Sequence, residues 1–529
     1  MNVNESRRAL LGALGAAAIA RTEGATADSV TDRDAGVPAL RAMMARGALS
    51  SVQLVRRYLT RIEQIDRHGP RLRSVLEVNP EAIQIATALD AESRDKGARG
   101  PLHGIPVLLK DNIATGDRMS TSAGSLALAN VKAPRDASLV ARLREAGAVI
   151  LGKTNLSEWA NIRSSHSTSG WSGRGGLTLN PYALDRNPSG SSSGSAAAVA
   201  AGLAPVAIGS ETDGSIVSPA SICGLVGIKP TVGLVSRHGI VPISRTQDTA
   251  GPMACTVADA AAVLAAIAGI DPLDPATAAN TAGATDYLNA LDRAALAGAR
   301  LGLVRSAYTG LDAVDALIDR AVVQLKSLGA TIVDPIELPD TKKYTDAELD
   351  VLLYELKPGL NEYLPEFAPG AAVRTLADVI AFNEREHDRE LRLFSQDLFV
   401  KAQAKGDLTD QAYLDALALC RRLARDEGID RALSEHQLDA LIAPTGGPAW
   451  LTDLIAGDNS GASFSTPAAV AGYPHITVPA GFVAGLPIGL SFVGSAYTEA
   501  KLIGYAYAYE QATHHRRAPG FAKTASLKP

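Results

Sequence analysis

Residues 188–216 read PSGSSSGSAAAVAAGLAPVAIGSETDGSI, and this run carries the strongest evidence for the fold class. The alanine-rich part, Ser195 to Ala201, predicts a helix, because alanine has the highest helix propensity. After Pro205, the apolar run from Val206 to Ile208 predicts a short buried strand. A helix followed by a buried strand indicates an α/β sheet, in which ligands gather beyond the carboxyl ends of strands.

The same alternation extends upstream of this run. The apolar segment Ile105–Leu109 predicts a buried strand, with Lys110 at its carboxyl end. Residues 138–146 predict a helix that Gly147 ends, and residues 148–151 predict the next strand. The sequence therefore predicts an α/β fold with one central sheet covered by helices on both faces.

The rest of the chain predicts further parts of the same domain. Residues 310–435 are predicted to be mostly helical and carry more charge than the serine-rich segment. Strands are predicted at 438–444, 475–481 and 488–494. A closing helix is predicted at 500–511. No internal repeat and no Gly/Ser linker separates these segments, so one large domain is the simplest interpretation.

Composition excludes several classes of function. The 529 residues are 46% hydrophobic and 20% charged, with a net charge of -5 and no broad basic patch, so nucleic-acid binding is not expected. Cysteines at positions 223, 255 and 420 form neither a disulfide framework nor a metal-ligand cluster. No run of about 18 uncharged apolar residues follows the N-terminus, so no membrane span is expected.

Residues 1–27 have the pattern of an export signal. Arg7 and Arg8 precede an apolar stretch that ends at Ala20, and small residues at 25–27 suit cleavage before Asp28. The paired arginines favour the twin-arginine route. We therefore expect a periplasmic or secreted protein with a domain at 28–529. If the segment is only an N-terminal extension, the protein is cytoplasmic.

The serine-rich run has three possible interpretations, one structural and two catalytic. It can be a flexible loop. It also satisfies the G-x-S-x-G elbow, with Ser192 as nucleophile, but the residues before it predict no strand. A third interpretation joins Ser191 and Ser215 to Lys110, because a buried lysine with a lowered pKa can activate a serine through a second serine.

The third interpretation agrees with a known family. Ser191 and Ser215 are 24 positions apart (215 − 191 = 24), at the two ends of a Gly- and Ser-rich stretch. This spacing and the surrounding motifs resemble the amidase signature family, densely over residues 100–260 and again near 440–513. The other matching segments are Gly104–Asn112, Gly152–Glu158, Pro219–Ser221, Gly224–Thr231 and Asp248–Met253.

The resemblance implies a single-domain amidase signature fold with a mixed sheet, and a Ser-Ser-Lys catalytic triad. Ser215 resembles the nucleophile that is acylated, Ser191 the bridging serine after a cis peptide bond, and Lys110 the terminal base. It implies hydrolysis of an amide through an acyl-enzyme. Neither a metal nor an organic cofactor is expected.

The same resemblance implies an oxyanion hole made by main-chain N–H groups of Thr212, Asp213, Gly214 and Ser215. The loop departs from the family's common Asp-Thr-Gly-Gly-Ser-Ile-Arg, since it reads Glu-Thr-Asp-Gly-Ser-Ile-Val over residues 211–217. Asp tolerates left-handed backbone better than most residues, which favours an intact loop. The added carboxylate either orients a substrate amide or ammonium, or caps the loop.

This variant loop, together with residues 169–176, 376–383 and 505–511, is most similar to bacterial peptide amidases within the family. Those enzymes release ammonia from C-terminally amidated peptides. Such a peptide or small-molecule amide is the expected substrate. Trp171 is interpreted either as a packing residue or as a pocket wall.

Three alternatives stay open. The first is an amidase for aryl, aliphatic or fatty amides. The second is the glutamine-hydrolysing component of a tRNA amidotransferase, which needs protein partners, tRNA and a cytoplasmic location. The third is a non-catalytic amidase-like binding protein, which the presence of all three triad residues disfavours. The sequence does not determine an oligomeric state, and a monomer is compatible with it.

Overall fold

The computed structural model describes residues 35–280 and 285–526. The predicted export signal, residues 1–27, lies outside this part of the chain. From Gly36 onward the described residues form one compact unit. The strands of this unit are β1 (Val75–Val78), β2 (Pro106–Lys110), β3 (Val149–Thr154), β4 (Trp171–Ser172), β5 (Gly176–Leu177), β6 (Val206–Glu211), β7 (Val226–Lys229), β8 (Thr249–Ala254), β9 (Arg300–Leu303), β10 (Thr331–Val333), β11 (Ala440–Pro444), β12 (His475–Val483) and β13 (Leu486–Val493).

The α-helices of the described residues alternate with these strands. They are α1 (Val37–Ala45), α2 (Ser51–Arg61), α3 (Ala82–Lys96), α4 (Ser138–Glu145), α5 (Ser193–Ala200), α6 (Val217–Ile222), α7 (Val257–Ile267), α8 (Asp312–Ser327), α9 (Thr345–Phe367), α10 (Leu376–Arg385), α11 (His387–Glu390), α12 (Asp397–Ala404), α13 (Gln411–Arg421), α14 (Asp430–Glu435), α15 (Thr466–Ala471) and α16 (Glu499–Thr513).

Eleven strands form one mixed sheet in the order β1-β3-β2-β6-β8-β7-β12-β13-β11-β9-β10. The pairs β2–β3, β2–β6, β9–β10 and β9–β11 are parallel, and the others are antiparallel. The sheet is therefore mixed, as the family resemblance implied. Parallel pairing of β2 with β6 brings the carboxyl ends of these two strands to the same edge.

The neighbours β2, β6 and α5 are built almost entirely from buried residues. All five residues of β2, all six of β6 and all eight of α5 are buried. Small side chains let the helix lie close to the chain around it. A Cβ added at Gly194 in α5 would lie 2.4 Å from the main-chain oxygen of Ser74 and 2.5 Å from that of Asn155.

Helices cover both faces of the sheet and confirm the single large α/β domain. The helices α5 and α6 pack against the sheet and against each other, and α7 and α16 form another packed pair on the same sheet. Thr256 caps α7, since its hydroxyl accepts a hydrogen bond from the Asp259 N–H. No described helix is both long and apolar enough to cross a membrane.

Two central strands, β7 and β8, are absent from the prediction. β8 contains Gly251 and Pro252, residues that are rare inside central strands. The glycine is required by a close approach, because a Cβ there would lie 2.0 Å from the main-chain oxygen of Ile228. Predicted strands β2, β6, β12 and β13 are present, and β3 extends to Thr154, beyond its predicted end at Leu151.

Candidate active site

Lys110 is the last residue of β2 and is completely buried. Its Nζ donates hydrogen bonds to Ser191 Oγ at 2.7 Å, Ser210 Oγ at 2.9 Å and the Ser210 main-chain oxygen at 3.0 Å. Three acceptors therefore satisfy the three N–H donors of an ammonium group. When the nitrogen is neutral, its lone pair becomes an acceptor for the proton of a serine hydroxyl.

Burial lowers the pKa of Lys110 from 10.5 to about 7, although the negative charges of Glu211 and Asp248 act in the opposite direction. The lysine thus changes its charge near neutral pH. Two other buried lysines, Lys153 and Lys229, have pKa values lowered by burial to about 8. Neither of them donates to a serine in the part of the chain that the structure describes, so the contact with Ser191 singles out Lys110.

Ser191 lies in the loop before α5 and is 1% exposed. The Gly190–Ser191 peptide bond is cis, as the family resemblance implied. There is no room for a side chain at Gly190, because an added Cβ would lie 2.2 Å from Ser157 Oγ. The Ser157 N–H also donates to the Ser191 main-chain oxygen at 3.0 Å, which fixes the loop against the segment after β3.

Ser215 follows β6 in a tight loop and is 8% exposed. The Glu211 carboxylate, at the end of β6, accepts the N–H groups of Ile216 and Val217 at 2.7 and 3.0 Å. By contrast, the N–H groups of residues 213–215 donate to no protein acceptor within the described residues. Adjacent N–H groups without internal acceptors are the donors that an oxyanion requires.

The side chain of Thr212 anchors the loop on its other side. Its hydroxyl donates to Asp248 Oδ1 at 2.6 Å, and Asp248 Oδ2 accepts the N–H groups of Ile243 and Ser244 at 2.8 and 2.9 Å. Burial raises the pKa of Asp248 from 3.8 to about 6, while these hydrogen bonds favour its ionised form. The loop is thus held by carboxylates at two points, Glu211 and Asp248.

Asp213, the residue that replaces the family's glycine, does not adopt left-handed backbone. The left-handed residue of the loop is Gly214, with φ of +76°. The expectation that aspartate is tolerated for its left-handed backbone is therefore wrong. The Asp213 carboxylate instead accepts a hydrogen bond from Thr466 Oγ1 at 2.7 Å, which joins the loop to α15.

The three predicted triad residues lie in the same part of the structure, but they are not all in direct side-chain contact. Lys110 and Ser191 form a direct side-chain hydrogen bond. Ser215 is joined to the same loop through its main-chain oxygen, which accepts the Ser192 N–H at 3.2 Å. No hydrogen bond between the Ser191 and Ser215 hydroxyl groups is formed in the described structure.

Two cavities lie beside this cluster. A polar cavity of about 170 Å³ is lined by Gly190, Asp213 and Gly214, the residues next to the two serines. A larger cavity of about 570 Å³ reaches Ser210 and Thr212 from the direction of α9. The small cavity has the size and polarity to receive a carboxamide group beside the loop of residues 212–215.

Sequence reasoning did not identify two residues that contribute to the site, Ser210 and Asn112. Ser210 Oγ accepts from Lys110 and also from Asn112 Nδ2 at 2.9 Å. Both residues lie inside motifs given above. Asn112 stands two positions after Lys110, and Ser210 stands two positions before the loop of residues 212–215, which we call the oxyanion loop. Their positions at the carboxyl ends of β2 and β6 were the signal that could have found them.

Ser192 and Trp171 have structural roles. Ser192 is completely buried, and its hydroxyl donates to the Ser210 main-chain oxygen at 3.1 Å. Its hydroxyl is therefore not exposed to a substrate, as that of an elbow nucleophile would be. Trp171 is 6% exposed and packs edge-on against Phe394, with 5.2 Å between the ring centres. The Arg163 guanidinium lies 5.5 Å from the Trp171 ring. The packing interpretation of Trp171 therefore holds.

No group of three or more His, Cys, Asp or Glu side chains that could hold a metal ion is found among residues 35–280 and 285–526.

Comparison with known proteins identifies the family. The model of the amidase family matches residues 53–503. The chain is 41% identical over 499 residues to "Probable amidase" of Arabidopsis thaliana, covering 92% of each chain. It is 37% identical over 506 residues to one component of the glutamyl-tRNA(Gln) amidotransferase of Microcystis aeruginosa, covering 89% of this chain and 96% of the relative. The chain belongs to the amidase family and is an amide-hydrolysing enzyme.

The solved structures that are similar to this chain include peptide amidases. The peptide amidase of Stenotrophomonas maltophilia is 56% identical, with a TM-score of 0.87, over 92% of this chain and 98% of that one. A peptide amidase in complex with the competitive inhibitor chymostatin is 55% identical, with a TM-score of 0.88 and the same coverage. The structure is thus that of an amidase signature enzyme similar to peptide amidases.

Proposed function

We propose that this amidase releases ammonia from C-terminally amidated peptides by means of a Ser-Ser-Lys triad. The observation that carries the triad is the 2.7 Å hydrogen bond from the buried Lys110 Nζ to Ser191 Oγ. A lysine whose pKa lies at about 7 is neutral often enough at physiological pH to act as a base.

In the proposed mechanism, neutral Lys110 takes the proton of Ser191, and Ser191 takes the proton of Ser215. The Ser215 oxygen attacks the carbonyl carbon of the amide, and the resulting oxyanion accepts hydrogen bonds from N–H groups of residues 212–215. The two serine hydroxyl groups must come within hydrogen-bonding distance in the complex with substrate, as catalytic contacts often tighten on binding.

The relay then returns its proton to the amide nitrogen, the C–N bond breaks and ammonia leaves. An ester between the acyl group and Ser215 remains. Water adds to this ester with the same base, and the carboxylic acid leaves while the Ser215 hydroxyl is restored. The balance is one amide and one water giving one acid and one ammonia.

The choice of a peptide amide is supported by similarity and by the loop. The chain is 56% identical to a peptide amidase but 37% identical to the amidotransferase component. The small polar cavity beside Gly190 and Gly214 suits a primary carboxamide. Hydrolysis of aryl, aliphatic or fatty amides is the second candidate, because the larger cavity of about 570 Å³ also reaches the site.

An ammonia-release screen tests this proposal. Purified enzyme is incubated with an N-acylated dipeptide amide, free glutamine, an aryl amide and a fatty amide, and ammonia is measured for each. We expect the dipeptide amide to have the highest kcat/KM. Ser215→Ala is the matched control and should release no ammonia. A preference for glutamine would favour the amidotransferase alternative, and a preference for the aryl or fatty amide would favour the second candidate.

We further propose that residues 1–27 export the enzyme and that residues 28–529 form the mature domain. The support is the paired Arg7 and Arg8 before an apolar stretch. Fractionation of cells that express the full chain tests it. Activity in the periplasm that moves to the cytoplasm in an Arg7→Lys/Arg8→Lys variant is the expected result, and cytoplasmic activity of the unchanged chain contradicts it.

A further inference from the structure

A buried carboxyl group from the helical region contacts the oxyanion loop. Glu348 lies in the first turn of α9 and is 5% exposed. Its carboxyl group lies beside that of Asp213 in the loop, and each group acts on the pKa of the other. Two carboxylates buried side by side repel each other, so the site favours a state in which one of them carries a proton. The pair therefore holds one proton.

The surroundings of the two groups assign this proton to Glu348. Burial, followed by the negative charge of Asp213, raises the pKa of Glu348 well above its ordinary range. Burial also raises the pKa of Asp213, but hydrogen bonds from Ser465 and Thr466 and the charge of Lys229 favour its ionised form. The more strongly stabilised carboxylate is that of Asp213, so Glu348 is the group that holds the proton.

A second contact runs from Glu348 to the same loop. Glu348 Oε1 accepts a hydrogen bond from Gln247 Nε2 at 2.9 Å. The same Nε2 donates to the main-chain oxygen of Thr212 at 3.4 Å. One side chain thus holds two consecutive loop residues, Thr212 through Gln247 and Asp213 directly. The direction of the N–H groups that follow depends on these two residues.

We propose that Glu348 is a positioning residue for the oxyanion loop and that it performs this role as a protonated acid. The inference rests on the proposed hydrolysis by Ser215 and extends it to a residue about 130 positions away in sequence, on a helix that the family motifs do not include. Its role is to keep the loop N–H groups directed at the developing oxyanion, an effect that preorganised donors supply in general.

Ionisation of Glu348 as the pH rises would place two negative charges beside each other and loosen the loop. The other titratable groups that face the pair are Glu211, Lys229, Tyr344 and Cys420. Burial raises the pKa of Tyr344 beyond the working range and that of Cys420 to about 12. The pKa of Lys229 is about 8, so an alkaline loss of activity has two candidate sources, Glu348 and Lys229.

Two substitutions separate a protonated acid from a merely structural contact. In Glu348→Gln, the new amide donates to Asp213 and still accepts from Gln247, so we expect wild-type kcat and loss of the alkaline limb of the pH profile. In Glu348→Ala, both contacts are lost, and we expect kcat to fall about 10- to 100-fold with little change in KM, since loop donors act mainly in the transition state.

The control is Asp346→Ala, an exposed position two residues earlier on α9. It should leave kcat and the pH profile unchanged. The proposal is overturned if Glu348→Ala keeps wild-type kcat, or if Glu348→Gln is as impaired as Glu348→Ala. An alkaline limb that persists in Glu348→Gln belongs to Lys229 and also overturns the role of a protonated Glu348.

Two readouts do not need a known substrate. The rate at which a serine-directed phosphonate labels Ser215 should fall in Glu348→Ala and stay unchanged in Glu348→Gln, because the tetrahedral adduct places an oxygen near the loop N–H groups. Infrared spectra should show a buried protonated carboxyl group that Glu348→Gln removes. Failure of the wild-type enzyme to release ammonia would reject the proposed function and leave these two results to decide the role of Glu348.

Discussion

The charge of Lys110 should set the acid limb of the activity profile. Burial lowers its pKa from 10.5 to about 7. At pH 7 about half of the molecules then carry a neutral lysine, whereas an unperturbed lysine would be neutral in only about 0.03% of them. Because the neutral form is the base, kcat/KM should rise with pH and level off about one unit above the pKa.

Below that pKa, kcat/KM should fall about tenfold per pH unit, which gives about 100-fold at pH 5 relative to the plateau. Asp248, with a pKa raised to about 6 by burial, adds a second protonation below that pH. Its neutral form no longer offers the same acceptor to Thr212, so the slope should become steeper below about pH 6. An Asp248→Asn variant should lack this steeper part.

The assay measures ammonia release from an N-acylated dipeptide amide, which has no group titrating between pH 5 and 9. Samples returned to pH 8 after each incubation should regain full activity, which excludes unfolding as the cause. A rate that is constant down to pH 5 would refute a neutral lysine base. A limb centred above pH 9 would show that burial does not lower the pKa of Lys110 as the structure requires.

The remaining predictions concern the groups around the lysine. Glu211→Gln keeps an oxygen acceptor for the loop N–H groups but removes a charge that raises the pKa of Lys110, so the acid limb should move to lower pH; an unchanged limb would contradict this coupling. A serine-directed phosphonate should label Ser215 in the unchanged chain, and mass spectrometry that still finds the label in Ser215→Ala would identify another nucleophile. Gly194→Ala should lower the free energy of unfolding in urea by about 1–3 kcal/mol, because the added methyl overlaps the main-chain oxygen of Ser74, and a loss within the measurement error would mean that α5 shifts freely.

Part of the fold was predictable because the strands that lead to the site contain uninterrupted apolar runs. The run before Lys110 and the run from Val206 to Ile208 are strands, as periodicity indicates, and α5 forms in the alanine-rich segment between the two serines. The strand β8 could not be predicted from pattern alone. Its Pro252 and Gly251 argue against a central strand, and only the close approach to Ile228 explains the glycine.

The residues of the site that belong to motifs with a fixed spacing could be predicted from the sequence, and the others could not. The distance of 24 positions between Ser191 and Ser215, and the position of Lys110 after a strand, identified the three residues that the structure gathers. Glu348 had no such signal. It stands in a charged amphipathic helix, where a glutamate ordinarily faces solvent, and only the tertiary packing of α9 buries it.

The fixation of residues 211–217 means that this loop cannot be exchanged as an independent module. Its residues are hydrogen-bonded to Thr466 of α15 and to Gln247 and Asp248 of the segment after residue 242. Gln247 is bonded in turn to Glu348 of α9. Introducing the family's more common Asp-Thr-Gly-Gly-Ser-Ile-Arg would remove the partner of Glu348 and bring an arginine to a buried position at 217. Engineering of substrate preference in this enzyme therefore has to start from the cavity walls, or to move the loop together with the helix and loop segments that hold it.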